Sequence, residues 1–232
     1  MKQYKHLFFD LDHTLWDFDA NSKATLQYLY GKFELDKKGI QEFEGFRDLY
    51  EHYNEMLWAK LRKGTITREE LRWKRMALTL ADYNIDDMPL VHEMSVLYLE
   101  KLPKQGLLLE GARSLLDYCT AKGYGLHIIT NGFETTQQEK VRTASLDTYF
   151  RHVFTSEHAG SMKPHRPIFE YALHTTGAVM EESIMIGDCL EADIQGARNM
   201  GMDQIFYNPM RKPHEEPITF EVNHLDEIKN IL

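Results

Sequence analysis

Hydrophobic and polar positions follow two different rhythms along the chain. From about Phe18 to Lys101 the apolar residues recur at helical spacing. Leu26, Leu29, Tyr30 and Phe33 share one face, and Phe43, Phe46, Tyr50, Tyr53, Leu57 and Leu61 form one stripe with steps of 3, 4, 3, 4 and 4 residues. Lys63-Gly64 places a glycine where a helix ends, and Thr67-Arg68-Glu69-Glu70 is a capping box that starts the next. A further helix is expected from about Pro89 to Leu102. Roughly four helices with little strand signal result.

From about Leu107 the rhythm becomes an alternation. Helices are expected at Gly111–Lys122, Thr135–Ser145, Pro167–Thr176 and Ala192–Met200. Strands are expected at Leu126–Thr130, His152–Thr155, Ser183–Ile186 and Gln204–Tyr207. Such alternation predicts a parallel sheet with helices on both faces. The apolar run Leu7–Asp10 belongs to the same sheet as its first strand. The expected architecture is therefore an α/β core built from residues 1–17 and 103–232, interrupted after its first strand by a helical domain at 18–102. Ligands of open parallel sheets bind at the carboxyl ends of the strands, where Asp10, Asp12, Thr130 and Asp188 all fall.

Composition narrows the function classes. The balance of 27 basic and 36 acidic residues leaves a formal charge of −9, which argues against a binder of nucleic-acid backbones. Against this background Lys60, Arg62, Lys63, Arg68, Arg72, Lys74 and Arg75 cluster with only Glu69 and Glu70 between them. That cluster reads either as a solvated helix face or as a local attraction for an anionic substrate. No apolar run is long enough to span a membrane, and Asp10 and Asp12 interrupt the N-terminal run too early for a signal peptide. Cys119 and Cys189 lack metal-ligand spacing and read as reduced thiols of a cytoplasmic protein.

Four segments carry candidate chemistry: Asp10-Leu11-Asp12-His13-Thr14, Thr130-Asn131-Gly132, Lys163-Pro164 and Gly187-Asp188-Cys189-Leu190-Glu191-Ala192-Asp193. Alternation along a strand turns Asp10 and Asp12 to one side. Two like charges so close need neutralising, and Mg2+ prefers carboxylate oxygens. On a phosphate monoester, Asp10 is suited to attack phosphorus and form an aspartyl-phosphate. Mg2+ held by Asp10 and Asp188 would mask the phosphate charge. Lys163 adds positive charge, Thr130 donates to a phosphoryl oxygen, and Asp12 is placed to protonate the leaving alkoxide.

These four segments, in this order, resemble the motifs of the haloacid dehalogenase superfamily, subfamily I, over nearly the whole chain. The resemblance implies a Rossmann-like core and a four-helix cap between the first and second motifs. It also implies Mg2+-dependent phosphoryl transfer. By transfer, Asp10 is nucleophile and metal ligand, and Asp12 is acid/base with a main-chain carbonyl on the metal. Thr130, Asn131, Gly132 and Lys163 bind phosphate, Asp188 is a metal ligand, and Asp193 stands behind the metal, positioning its waters or Lys163. The chain departs from the pattern at His13, where glycine is common, and at His165-Arg166, where Asp-Pro or Asn-Pro is common. An acid at Asp12, which dehalogenases lack, favours phosphate over halide chemistry.

Asp10 to Phe18, with Asn21-Ser22, most resembles the bacterial pyrimidine 5'-nucleotidase branch. The implied substrate is a nucleoside monophosphate, with Trp16 and Phe18 offered either as base-stacking surfaces or as packing for the hinge. Trp58, Arg62, Arg72 and Arg75 are candidate substrate contacts of the helical domain, whereas Tyr50, Tyr53 and Trp73 fit its core. The same scaffold also serves phosphoglycolate and sugar-phosphate phosphatases, β-phosphoglucomutases and, with the chemistry lost, regulatory proteins.

Overall fold

The computed structural model describes residues 3–232; the first two residues of the expected core domain lie outside it. In chain order the elements begin with β1 (His6–Phe9), α1 (Phe18–Lys32), α2 (Phe43–Arg62), α3 (Arg68–Ala81), α4 (Met88–Lys101), α5 (Ala112–Ala121), β2 (Gly125–Thr130) and α6 (Glu134–Thr143). They continue with β3 (His152–Thr155), α7 (Arg166–Thr176), β4 (Ser183–Gly187), a π-helical turn (Leu190–Gln195), α8 (Gly196–Met200), β5 (Asp203–Tyr207) and β6 (Phe220–Val222). The chain divides into two compact units, one joining the segment up to Phe18 to Gly106–Leu232, the other formed by Asp19–Gln105.

The first unit is built on a six-stranded parallel sheet of order β3-β2-β1-β4-β5-β6, flanked by helices. Its central strands are mostly apolar, as strands buried on both faces are. Leu7, Phe8, Phe9, Ile128, Ile129, Ile184, Met185, Ile186 and Ile205 are all fully or nearly fully buried. β1 is central, with Phe9 level with Ile128 on one side and Ile186 on the other. The chain leaves β1 toward β2 and β3, then returns to β4 on β1's other flank. This reversal of strand order opens the crevice in which such sheets bind ligands, at the carboxyl ends of β1 and β4.

The second unit contains α1 to α4. The stripe read from the sequence is buried at Phe46, Tyr50, Leu57 and Leu61, while Phe43 and Tyr53 at its margin are half-buried. Tyr53 reaches outward and its hydroxyl donates to Asp82 at 2.8 Å. Gly64 takes the left-handed conformation, φ +67°, after α2. The capping box of α3 is present: Thr67 Oγ1 accepts from the Glu70 amide at 3.1 Å, and Glu70 Oε2 accepts from the Thr67 amide at 2.8 Å.

Arg75 corrects the sequence reading. It leaves the basic helix face and is 3% exposed. Its Nε donates to the Leu71 carbonyl and its Nη1 to Asn54, and the guanidinium lies 5.8 and 5.5 Å from the Tyr50 and Tyr98 ring centres. Helical periodicity carries it inward because it is four residues beyond Leu71.

Element limits in the core fall within about two residues of expectation, with two exceptions. The helix expected at Ala192–Met200 starts as the π-helical turn, in which the Asp193 and Ile194 amides both donate to the Cys189 carbonyl. β6 and the short 3-10 turn Leu225–Asn230 are unforeseen, being too brief to show a period. Cys119 and Cys189 form no disulfide; burial pushes the Cys119 thiol up to about 12. Among the described residues no helix is long and apolar enough to cross a membrane.

Three histidines stack across β1, β2 and β3. His127 is almost fully buried, 3.2 Å from His6 (Nδ1 to Nε2), with its ring 5.0 Å from Phe8 and 5.6 Å from His152. Burial first, then the neighbouring His6, His152 and Arg151 charges, hold its pKa down to about 3. An unfolded histidine titrates near 6.5. Between these values the unfolded chain binds a proton that the native chain refuses, so stability falls as pH falls. Urea unfolding at pH 7 and pH 5 checks this: His127→Gln is expected to lose less stability between the two than the parent chain.

Candidate active site

The site forms around one ammonium group. Lys163 precedes α7 and is 1% exposed. Its Nζ donates to Asp10 Oδ1 at 2.5 Å, to Asp193 Oδ1 at 2.6 Å and to the Ile129 carbonyl at 2.6 Å. All three of its protons are thereby used. Burial alone would lower its pKa, but the Asp10 and Asp193 carboxylates outweigh that and hold it above the ordinary lysine range.

Asp10 follows β1, and its amide still pairs with the sheet by donating to the Ile186 carbonyl at 2.8 Å. Burial raises its pKa well above the usual carboxylate range; Lys163 opposes this, and Asp193 and Asp188 add to it. Asp188, at the end of β4, is raised to about 6 by burial and by Asp193. Thr14 Oγ1 donates to its Oδ1 at 3.0 Å. Oxygens of Asp10, Asp188 and Asp193 lie within 4.8 Å of one another.

Three carboxylates against one ammonium leave negative charge in excess, in a place where unpaired charge is costly. An all-oxygen donor set of this kind suits a hard divalent cation such as Mg2+. The cluster fits the metal predicted from the sequence. Both Asp193 oxygens are already engaged, Oδ1 by Lys163 and Oδ2 by the Cys189 amide at 3.0 Å. That leaves Asp10 and Asp188 as the better-placed donors.

Local structure explains how Asp193 gets there. The π-helical turn widens the chain after Cys189 and brings the side chain inward, as such turns do at functional sites. Gly187 makes room: a Cβ on it would stand 2.3 Å from Asp193 Oδ2. His13, where the family pattern favours glycine, has φ +62°, the left-handed conformation that explains that preference.

Thr130 ends β2. Its Oγ1 accepts from the Gly132 amide at 3.1 Å and from Gln137 Nε2 at 2.7 Å. With both acceptor positions used, its hydroxyl proton is directed elsewhere. A Cβ on Gly132 would lie 2.4 Å from Gln137, so glycine here lets that side chain pass. Asn131, expected on the phosphate, spends its carboxamide on the Lys163 main chain instead. Its Oδ1 accepts from the Lys163 amide at 2.8 Å and its Nδ2 donates to the Lys163 carbonyl at 2.9 Å.

Asp12 faces residues that sequence reading missed. Its Oδ1 accepts from Lys140 Nζ at 2.5 Å and its Oδ2 from Gln137 Nε2 at 2.8 Å. Both partners lie on α6 and are almost completely buried. The signal was the spacing of Gln137, Lys140, Val141 and Ala144, a core stripe by period whose first two members are polar. Trp16 is fully buried, and Lys140 Nζ stands 4.2 Å from its ring centre, so of the two roles read from the sequence its burial favours packing. Phe18 remains half-buried, 4.8 Å from the exposed His13 ring.

Comparison with known proteins agrees with this geometry. Residues 4–201 match the haloacid dehalogenase-like hydrolase family model. The pyrimidine 5'-nucleotidase PynA of Streptococcus pneumoniae is 34% identical over 99% of this chain and 97% of its own. The pyrimidine 5'-nucleotidase YjjG of Escherichia coli is 31% identical over 97% of this chain and 96% of its own. The crystal structure of the HAD-hydrolase YfnB of Bacillus subtilis, bound to magnesium, superposes with a TM-score of 0.88 at 29% identity, covering 99% of each chain. With its parallel sheet, its motif residues gathered at the strand ends and a family match over most of its length, the chain belongs to the haloacid dehalogenase-like hydrolases.

Proposed function

We propose that this protein is a Mg2+-dependent phosphomonoester hydrolase that works through an aspartyl-phosphate and acts on pyrimidine nucleoside 5'-monophosphates. The observation that carries the chemistry is the buried cluster in which one lysine is shared by Asp10 and Asp193 beside Asp188. The nucleotide preference draws on relatives named pyrimidine 5'-nucleotidases that align end to end with this chain.

In the first step Asp10 attacks phosphorus and the bond from phosphorus to the ester oxygen breaks. Asp12 gives its proton to the departing alkoxide, yielding a nucleoside and phospho-Asp10. In the second, water attacks the same phosphorus, Asp12 takes its proton, and phosphate leaves Asp10. Thr130 donates its free hydroxyl proton to a phosphoryl oxygen, and Lys163 fixes Asp10 while offsetting charge. Asp10, Asp188 and the Asp12 main-chain carbonyl would hold Mg2+, with Asp193 behind them. Bound there, Mg2+ supplies the positive charge that these carboxylates and a phosphate dianion together lack. The helical unit takes the part of a cap that selects the substrate, and the compartment proposed for the protein is the cytoplasm.

Phosphate release from UMP, dUMP and dTMP, set against sugar phosphates and phosphoglycolate, tests the substrate. Pyrimidine nucleotides are expected to lead in kcat/KM, and a lead for the other esters would move the assignment to them. Asp10→Asn is expected to lower kcat by on the order of 10^3-fold or more with the fold intact by circular dichroism.

Metal dependence has a readout apart from turnover. Mg2+ is expected to raise the melting temperature of the parent chain, because it binds only the folded carboxylate cluster, and Asp188→Asn is expected to reduce that rise. Chelation should abolish hydrolysis and added Mg2+ restore it.

A further inference from the structure

The proposed chemistry gives Lys140 and Gln137 no role, yet both are built into the site. α6 is a polar helix whose buried residues are Gln137, Lys140 and Val141. Lysine is seldom buried without a partner. The Lys140 side chain is 3% exposed, and its Nζ meets Asp12 Oδ1 at 2.5 Å while lying 4.2 Å from the Trp16 ring centre and 5.4 Å from that of Phe18. The aromatic faces keep water off one side of the ammonium. Gln137 is fully buried, and its Nε2 bridges Asp12 Oδ2 at 2.8 Å and Thr130 Oγ1 at 2.7 Å. Each oxygen of Asp12 is thus held by a different side chain of one helix.

We infer that Lys140 and Gln137 are positioning residues for Asp12, and that the Lys140 ammonium stabilises the negative charge Asp12 acquires as it protonates the leaving group. This inference rests on the reading of Asp12 as proton carrier. When the proton passes from Asp12 to the ester oxygen, a carboxylate forms beside a fixed, water-shielded cation. An interaction that strengthens as charge develops lowers the barrier instead of merely tightening binding. Gln137 adds geometry: a single amide nitrogen sets Asp12 relative to Thr130, and so relative to the phosphoryl group that Thr130 contacts.

The consequence depends on the leaving group. An alkoxide such as the nucleoside 5'-oxygen needs a proton to depart; p-nitrophenolate does not. The test compares the first-turnover rate of leaving-group release from UMP and from p-nitrophenyl phosphate, so that hydrolysis of phospho-Asp10 does not enter. Lys140→Met is expected to slow release from UMP by about 10^2-fold and to slow p-nitrophenol release at least ten times less. Lys140→Arg, which keeps the charge, is expected to recover part of the UMP rate. Gln137→Leu keeps the ammonium and should show the same discrimination at smaller amplitude; it carries the test if Lys140→Met does not fold.

Equal slowing of both substrates by Lys140→Met and Gln137→Leu would mean a structural role only and overturn the inference. Asp12→Asn separates the two levels. If it discriminates between the substrates and the Lys140 and Gln137 variants do not, the inference alone fails. If Asp12→Asn itself shows no discrimination, the assignment of Asp12 as proton carrier is what fails.

Discussion

The structure of the site depends on a buried ammonium with three protons and three acceptors. Lys163 joins the end of β1 through Asp10, the end of β2 through the Ile129 carbonyl, and the turn after β4 through Asp193. An ammonium so far from water is tolerable only with every proton placed, and two of the three acceptors carry charge. Asn131 then fixes the Lys163 main chain at both its amide and its carbonyl. Segments far apart in sequence are thereby locked into one arrangement at the carboxyl edge of the sheet.

That arrangement separates two carboxylates that are near neighbours in the chain. Asp10 sits among Lys163, Asp188 and Asp193, in a cluster with excess negative charge. Asp12 points instead to Lys140 and Gln137. In the mechanism proposed above, the first environment belongs to the group that attacks and the second to the group that gives and recovers a proton, so that chemically identical side chains take different duties from their surroundings.

Much of this was legible in the sequence, for identifiable reasons. Apolar runs such as Leu7-Phe8-Phe9 and Ile184-Met185-Ile186 mark buried parallel strands, and the polar residues that end them are placed by topology alone. The helical stripe from Phe43 to Leu61 announced α2 in the same way. What escaped depends on contacts between distant segments. The π-helical turn that aims Asp193 has no periodicity of its own. The spacing of Gln137 and Lys140 marks a buried face, but nothing local says that Asp12, more than 120 residues earlier, is what they meet there. Arg75 shows the converse: its chemistry suits a substrate, yet its neighbours bury it.

The separation of the Lys163 partners along the chain also orders its biogenesis. Lys163 follows Asp10 by 153 positions, and Asp193 comes another 30 after that. Until the turn after β4 has emerged, the central strand lacks a neighbour and the lysine lacks one of its two carboxylates. Long-range pairings of this kind come late and all at once, since loop closure must precede any reward. The buried carboxylate cluster is therefore incomplete until Asp193, the last of its three members along the chain, has been made.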